Sequence, residues 1–266
     1  MNEMNPIHWS IDYNTGSNKP DYANELIKLI ESDKISASLV NNESEETNHT
    51  KHVYQILPNY WRGYAGRSNP DAKLGIGTVS IESKKEDHIW YYEVNYKNDT
   101  SGEHILLQFS SEDSWSRNLL NEWYGKVRNS CQDTYSELNF IGRIISKDEV
   151  GLCINDVEIS LVIPDKNIPI TCNWTLFDVI PQLSDQLIDN RENVEIVLLE
   201  DLEQLRPINQ IGFLNTLRSP FHLDGFYLYG TGLLPSYWWI DEKKTTVIVS
   251  NFFETYILKE RIVDYK

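Results

Sequence analysis

The segment His88–Lys97, HIWYYEVNYK, constrains the fold of this chain more than any other stretch. Trp90, Tyr92, Val94 and Tyr96 recur at every second position, and Ile89, Tyr91, Glu93 and Asn95 fill the positions between them. A period of two places each set on its own face of a β-strand, whereas a helix repeats every 3.6 residues. The flanking segments supply partners. Gly75–Ser83 alternates in the same way, and the polar stretch Lys84–Asp87 reads as a turn. Asn98-Asp99-Thr100-Ser101-Gly102 reads as a second turn into Glu103–Ser110, where Ile105, Leu107 and Phe109 share one face.

Further strands are expected along the chain. Leu138–Ser146 is one, and Asn155-Asp156 joins Gly151–Ile154 to Val157–Ile163 in a tight hairpin. Val194–Leu199, Ile208–Leu217, Phe221–Tyr229, Tyr237–Asp241, Thr245–Ser250 and Phe253–Leu258 follow with short connections, as in a meander. Eight Trp, fifteen Tyr and eight Phe suit a pleated, half-buried surface. A meander of roughly ten strands protects its edges by closing, or nearly closing. The expected fold is therefore mainly β with minor α: an antiparallel meander forming a barrel or curved half-barrel. Its shape invites comparison with lipocalin-like carriers by analogy alone. The Gly-x-Trp signature of their first strand is absent, and Pro58-Asn59-Tyr60-Trp61 is the nearest stretch.

Two or three short helices should pack on an end or open side. Trp115, Leu119, Trp123 and Val127 lie four apart behind Ser114, which predicts an inserted amphipathic helix at about 114–129. Asn173 is a candidate cap for a short helix at about 173–188 carrying Trp174, Phe177 and Ile180, with Pro181 kinking or restarting it. Residues 1–52 read as an N-terminal helix after Pro20 plus an acidic polar linker around Asn41–Asn48, leaving 53–266 as the β domain.

The formal net charge of −16 disfavours nucleic acid and anionic membrane surfaces; it reads first as an acidic surface kept for solubility, with attraction to a basic protein partner as the sharper alternative. Lys84-Lys85 and Lys243-Lys244 read as hairpin turns rather than a basic patch. Cys131, Cys153 and Cys172 are too few and too far apart for a disulfide framework or zinc site, and Cys153 reads as a buried thiol. The N-terminus, Met1 to Pro6, carries neither a basic nor an apolar signal-peptide region, and no apolar run approaches the roughly 18 residues of a membrane span. A cytoplasmic protein is expected.

No phosphate loop, dinucleotide fingerprint, HExxH or GxSxG elbow is present, so no cofactor and no metal are expected. His49 and His52 fall beside the acidic linker and read as exposed. His88 and His104, with Glu93, are candidate acid–base groups on one hairpin. The aromatic stripes are the strongest feature. Trp90, Tyr92 and Tyr96, with Tyr227 and Trp238 from later strands and His104 as a polar handle, are the candidate ligand-binding residues. Trp238 and Trp239 alternate, which predicts one in the core and the other at the surface or under a helix.

Three functions fit these features. The first is binding of a hydrophobic or aromatic small molecule in a β-barrel-type pocket. The second is a cofactor-independent isomerase, cyclase or lyase on the same scaffold. The third is an acidic interaction protein that neutralises a basic partner.

Overall fold

The computed structural model describes residues 49–58, 75–111, 120–131, 134–146, 149–162, 168–198, 209–218, 222–230, 233–251 and 253–264. The expected helix after Pro20 and the linker at Asn41–Asn48 lie outside them. Eight strands come first: β1 (His49–Pro58), β2 (Gly77–Glu86), β3 (Ile89–Asn98), β4 (Glu103–Ser111), β5 (Leu120–Cys131), β6 (Thr134–Ser146), β7 (Glu149–Ile154) and β8 (Val157–Val162). The short β9 (Ile170–Thr171) precedes the helix α1 (Leu176–Asn190). Six strands complete the chain: β10 (Val194–Leu198), β11 (Asn209–Leu217), β12 (Leu223–Gly230), β13 (Leu233–Ile240), β14 (Thr246–Ser250) and β15 (Glu254–Asp264).

All fifteen strands of the described residues form one sheet in the order β8-β7-β6-β5-β4-β3-β2-β1-β15-β14-β13-β12-β11-β10-β9. The first and last strands therefore pair at its centre. Each arm is an antiparallel meander, and only β9 with β10 is parallel. β8 and β9, consecutive among the described strands, are the two ends of this order, and no strand pairing joins them among the described residues. The mainly antiparallel architecture expected from the alternation is present, with more strands than anticipated. Asn155 and Asp156 both adopt left-handed φ, 44° and 69°, as a two-residue hairpin turn between right-twisted strands requires.

The inserted helix expected at 114–129 is corrected over its described part, where Leu120–Cys131 is strand β5. A spacing of four is also a multiple of two, so Trp123 and Val127 share a strand face as readily as a helix face. Gly125 lies between them and opposite Phe140, while Trp123 lies opposite Gly142. A Cβ at Gly125 would sit 1.8 Å from the Phe140 ring, and one at Gly142 would sit 2.0 Å from the Trp123 indole. Each aromatic thus fills the space that the opposing glycine leaves free. Both rings are buried.

One helix is present among the described residues, beginning at Leu176 rather than just after Asn173. Pro181 sits inside it and does not break it. Proline lacks the N–H that would have reached the Phe177 carbonyl one turn back. The hydroxyl of Thr246 on β14 donates to that carbonyl instead, at 2.7 Å. Phe177 packs against Tyr54 of β1 at 4.8 Å between ring centroids and against Tyr256 of β15 at 6.2 Å, and Trp174 reaches Tyr96 of β3 at 6.0 Å. The helix therefore covers the inner face of the sheet centre, where Tyr54, Ile56, Val79, Ile81, Val94 and Leu258 are also buried.

Of the two places expected for the second tryptophan, the surface is excluded. Trp238 and Trp239 face opposite sides of β13, yet both are buried, Trp239 against Gly225 of the neighbouring strand. Both faces of the sheet are covered there, as the unbroken burial of β14 also records.

Candidate functional site

Strand register builds a groove on the outer face. Glu82, Glu93, Gln108, Tyr124, Ile141, Cys153 and Glu158 stand directly opposite one another across β2 to β8. Side chains so aligned form a continuous row. A groove of about 540 Å³ lies over the first part of this row, lined by Glu82, Tyr91, Glu93, Gln108, Tyr124 and Ile141 among others. A second hollow, about 560 Å³, continues from Ile141 over Ile145, Cys153 and Glu158. Tyr91 and Ile141 are large apolar surfaces left 44% and 46% exposed. Polar groups border them: Gln108 Nε2 donates to Glu93 at 2.7 Å, and Lys51 donates to Glu82 at 3.0 Å. The Glu82 carboxyl is held below its ordinary range by hydrogen bonds from His49 and Lys51. Cys153, expected to be buried, is instead a half-buried free thiol in the second hollow.

A separate polar set lies on the inner face, under α1. Thr50, Ser83 and Tyr92 are successive cross-strand partners on β1, β2 and β3, and His52 stands opposite Arg261 on β15. The register places Tyr54 opposite Leu258 and Val53 opposite Glu260, so Lys259 is an extra residue, a β-bulge. The bulge reverses the alternation beyond it, and Arg261 instead of Glu260 shares the His52 face. From α1, Asp178 approaches within 4.0 Å of His52 Nδ1, too far for a hydrogen bond, and accepts one from Ser83, whose own hydroxyl lies 2.7 Å from Thr50 Oγ1.

Burial dominates the electrostatics of this set. It pushes Asp178 up to about 6, against the pull of the Ser83 bond and of Arg261. It pushes His52 down to about 4, helped by the Arg261 charge. Three buried atoms here have no hydrogen-bond partner among the described residues: His52 Nε2, the Tyr92 hydroxyl and Arg261 Nε. His52 had read as exposed from its place beside the linker. Because β1 opens at His49, it is an inward strand residue only 9% exposed.

The other residues singled out in the sequence are dispersed. Tyr92 and Tyr96 are buried on the inner face; Tyr92 stacks on Phe109 at 5.0 Å, and Tyr96 donates to Glu254 at 3.0 Å. Trp90 is half-buried near the end of the same stripe, with Lys85 Nζ 5.5 Å from its ring. Trp238 is in the core, and Tyr227 lies on the far arm, donating to Asn193 at 3.1 Å. His104 lies on the outer face, its Nε2 2.8 Å from Asn95 Oδ1. His88 is in the β2–β3 turn, so the antiparallel hairpin holds it and His104 at opposite ends. Of the acid–base candidates, Glu93 alone lines the groove. No cluster of three or more metal-ligating side chains occurs among the described residues.

The fold defines the class of this chain as a mainly antiparallel β protein with one covering helix among the described residues. No family model and no curated protein matches it. Among solved structures, it is similar to the crystal structure of a β-barrel-like protein, a domain of unknown function from Brucella abortus. The two are 6% identical, the match covers 83% of this chain and 100% of the other, and the TM-score is 0.48. No helix among the described residues is long and apolar enough to cross a membrane.

Proposed function

We propose that the protein binds a hydrophobic or aromatic small molecule in the groove over β2 to β6. The observation that carries this reading is the combination of Tyr91, Tyr124 and Ile141 on one concave surface with the Glu93–Gln108 pair at its side. Ligand sites join an apolar lining to a few placed polar groups in this way, and about 540 Å³ suits a ligand of drug-like size. The Tyr91 ring offers a stacking face, and Glu93 with Gln108 offers an acceptor and a donor that fix orientation.

Titration with a neutral aromatic dye, N-phenyl-1-naphthylamine, tests the proposal. The wild type should bind it saturably, and Tyr91→Ala should weaken binding by roughly tenfold, the loss of one stacking partner and its buried area. Because Tyr91 is 44% exposed, its removal should leave the unfolding midpoint nearly unchanged. Equal affinity of the two proteins for the dye would reject the groove as the site.

A further inference from the structure

The polar set beneath α1 lies on the opposite face from the groove and needs its own explanation. Arg261 reaches it through the β15 bulge. Its Nη1 donates to Thr245 Oγ1 at 3.2 Å, leaving the buried Nε without a partner among the described residues. Opposite stands His52, nine-tenths buried, with Nε2 equally unpartnered. Directly paired side chains of neighbouring strands sit about 5 Å apart at Cβ, so the Arg261 and His52 side chains are neighbours. The Tyr92 hydroxyl, also buried and unpartnered, stands further along the sheet on β3, with β1 and β2 between it and Arg261.

A buried polar atom left unsatisfied costs about 1–3 kcal/mol, and two on directly paired residues point to an occupant. The Nε edge of a guanidinium presents parallel N–H groups that match the two oxygens of a planar carboxylate. We propose that Arg261 and His52 form a binding site for a small carboxylate between α1 and the sheet. Arg261 is half-buried, so the ligand reaches the site from its side.

An incoming carboxylate meets like charge from Asp178. The groups in electrostatic or hydrogen-bond reach of Asp178 and Arg261 are His52 and Tyr54 from β1, Ser83 from β2, Tyr92 from β3 and Asp241 after β13, with Cys172 ahead of α1 in reach of Tyr92. Asp178 and His52 bind protons more tightly when a second negative charge arrives. Binding is therefore coupled to proton uptake, and affinity rises as the pH falls from about 7 towards 6, where Asp178 titrates.

Calorimetric titration of the full chain with sodium acetate, repeated in two buffers of different ionisation enthalpy, tests the site. Sodium phosphate and sodium chloride at matched ionic strength serve as comparisons. The expected result is saturable acetate binding with proton uptake, weakened at least tenfold in Arg261→Lys, which keeps the charge and removes the fork. Tyr91→Ala should leave it unchanged, which separates this site from the groove. Absence of saturable acetate binding would mean that water alone satisfies these atoms, and would overturn the proposal. So would phosphate binding as tightly as acetate, or an Arg261→Lys variant that binds like the wild type.

Discussion

The His52–Asp178 pair should cancel its own pH dependence, and removing either partner should expose it. Asp178 moves from 3.8 in the unfolded chain to about 6 in the folded protein. Between those values the native state holds a proton that the unfolded chain lacks. Its contribution to stability is therefore largest below pH 3.8 and is lost as the pH rises through about 6. His52 moves the other way, from 6.5 to about 4. Between those values the unfolded chain holds the extra proton. Stability from this group is thus full above pH 6.5 and is lost as the pH falls through about 4. Each displacement corresponds to about 3 kcal/mol, at 1.36 kcal/mol per tenfold change in proton affinity.

Between about pH 4 and about pH 6 the two slopes are equal and opposite. The folded pair carries one proton, on Asp178, and the unfolded pair also carries one, on His52. Folding transfers the proton without changing the number bound. Asp178→Asn leaves the histidine alone, so that variant should lose about 3 kcal/mol relative to wild type on going from pH 6.5 to about 4. His52→Gln leaves the carboxyl alone, and that variant should gain a similar amount relative to wild type on going from about pH 6 to 3.8. Urea unfolding of the three proteins across this range measures the difference curves, in which all other titrating groups drop out. Flat difference curves for both variants would refute the reasoning, because neither group would then be buried as described.

Two structural variants probe the frame around these sites. Gly142→Val would drive a side chain into the Trp123 indole, 2.0 Å from the position of its Cβ, and should cost about 1–3 kcal/mol or more in chemical unfolding. Thr246→Val keeps the side-chain volume but strands the Phe177 carbonyl that Pro181 cannot reach, so it should lower stability by about 1–3 kcal/mol with the denaturant slope unchanged.

Much of the fold was legible because alternation is a local signal. Tyr92, Val94 and Tyr96 share the inner face of β3, and Tyr91 and Glu93 share the outer one, as a period of two requires. The segment around Trp123 misled because spacing by four fits both a helix and a strand. Gly125 was the discriminating residue, since a glycine between two large side chains suits a cross-strand aromatic better than a helix interior. The outer groove was only half legible. Its row from Glu93 through Gln108 and Tyr124 to Ile141 depends on the register of four strands, and each residue taken alone is an ordinary surface position.

The inner polar set was hidden for a different reason. His52 precedes Tyr54 and Ile56 at a spacing of two, the alternation of a strand that opens at His49 within what reads as the polar linker's end. Arg261 left no such trace. Read with unbroken alternation from Tyr256 and Leu258, the segment LKERIVD turns Glu260 inward and Arg261 outward. The single extra residue at Lys259 reverses this and sets a guanidinium, rather than a second carboxylate, opposite His52. A glutamate there would have faced Asp178 across a buried space, with like charges raising both carboxyls. The bulge thus decides the sign of the charge at this position, through a pairing between strands some 200 residues apart in the chain. No local pattern records such a pairing, and it is this long-range register that makes the interior beneath α1 a place where an anion could be held.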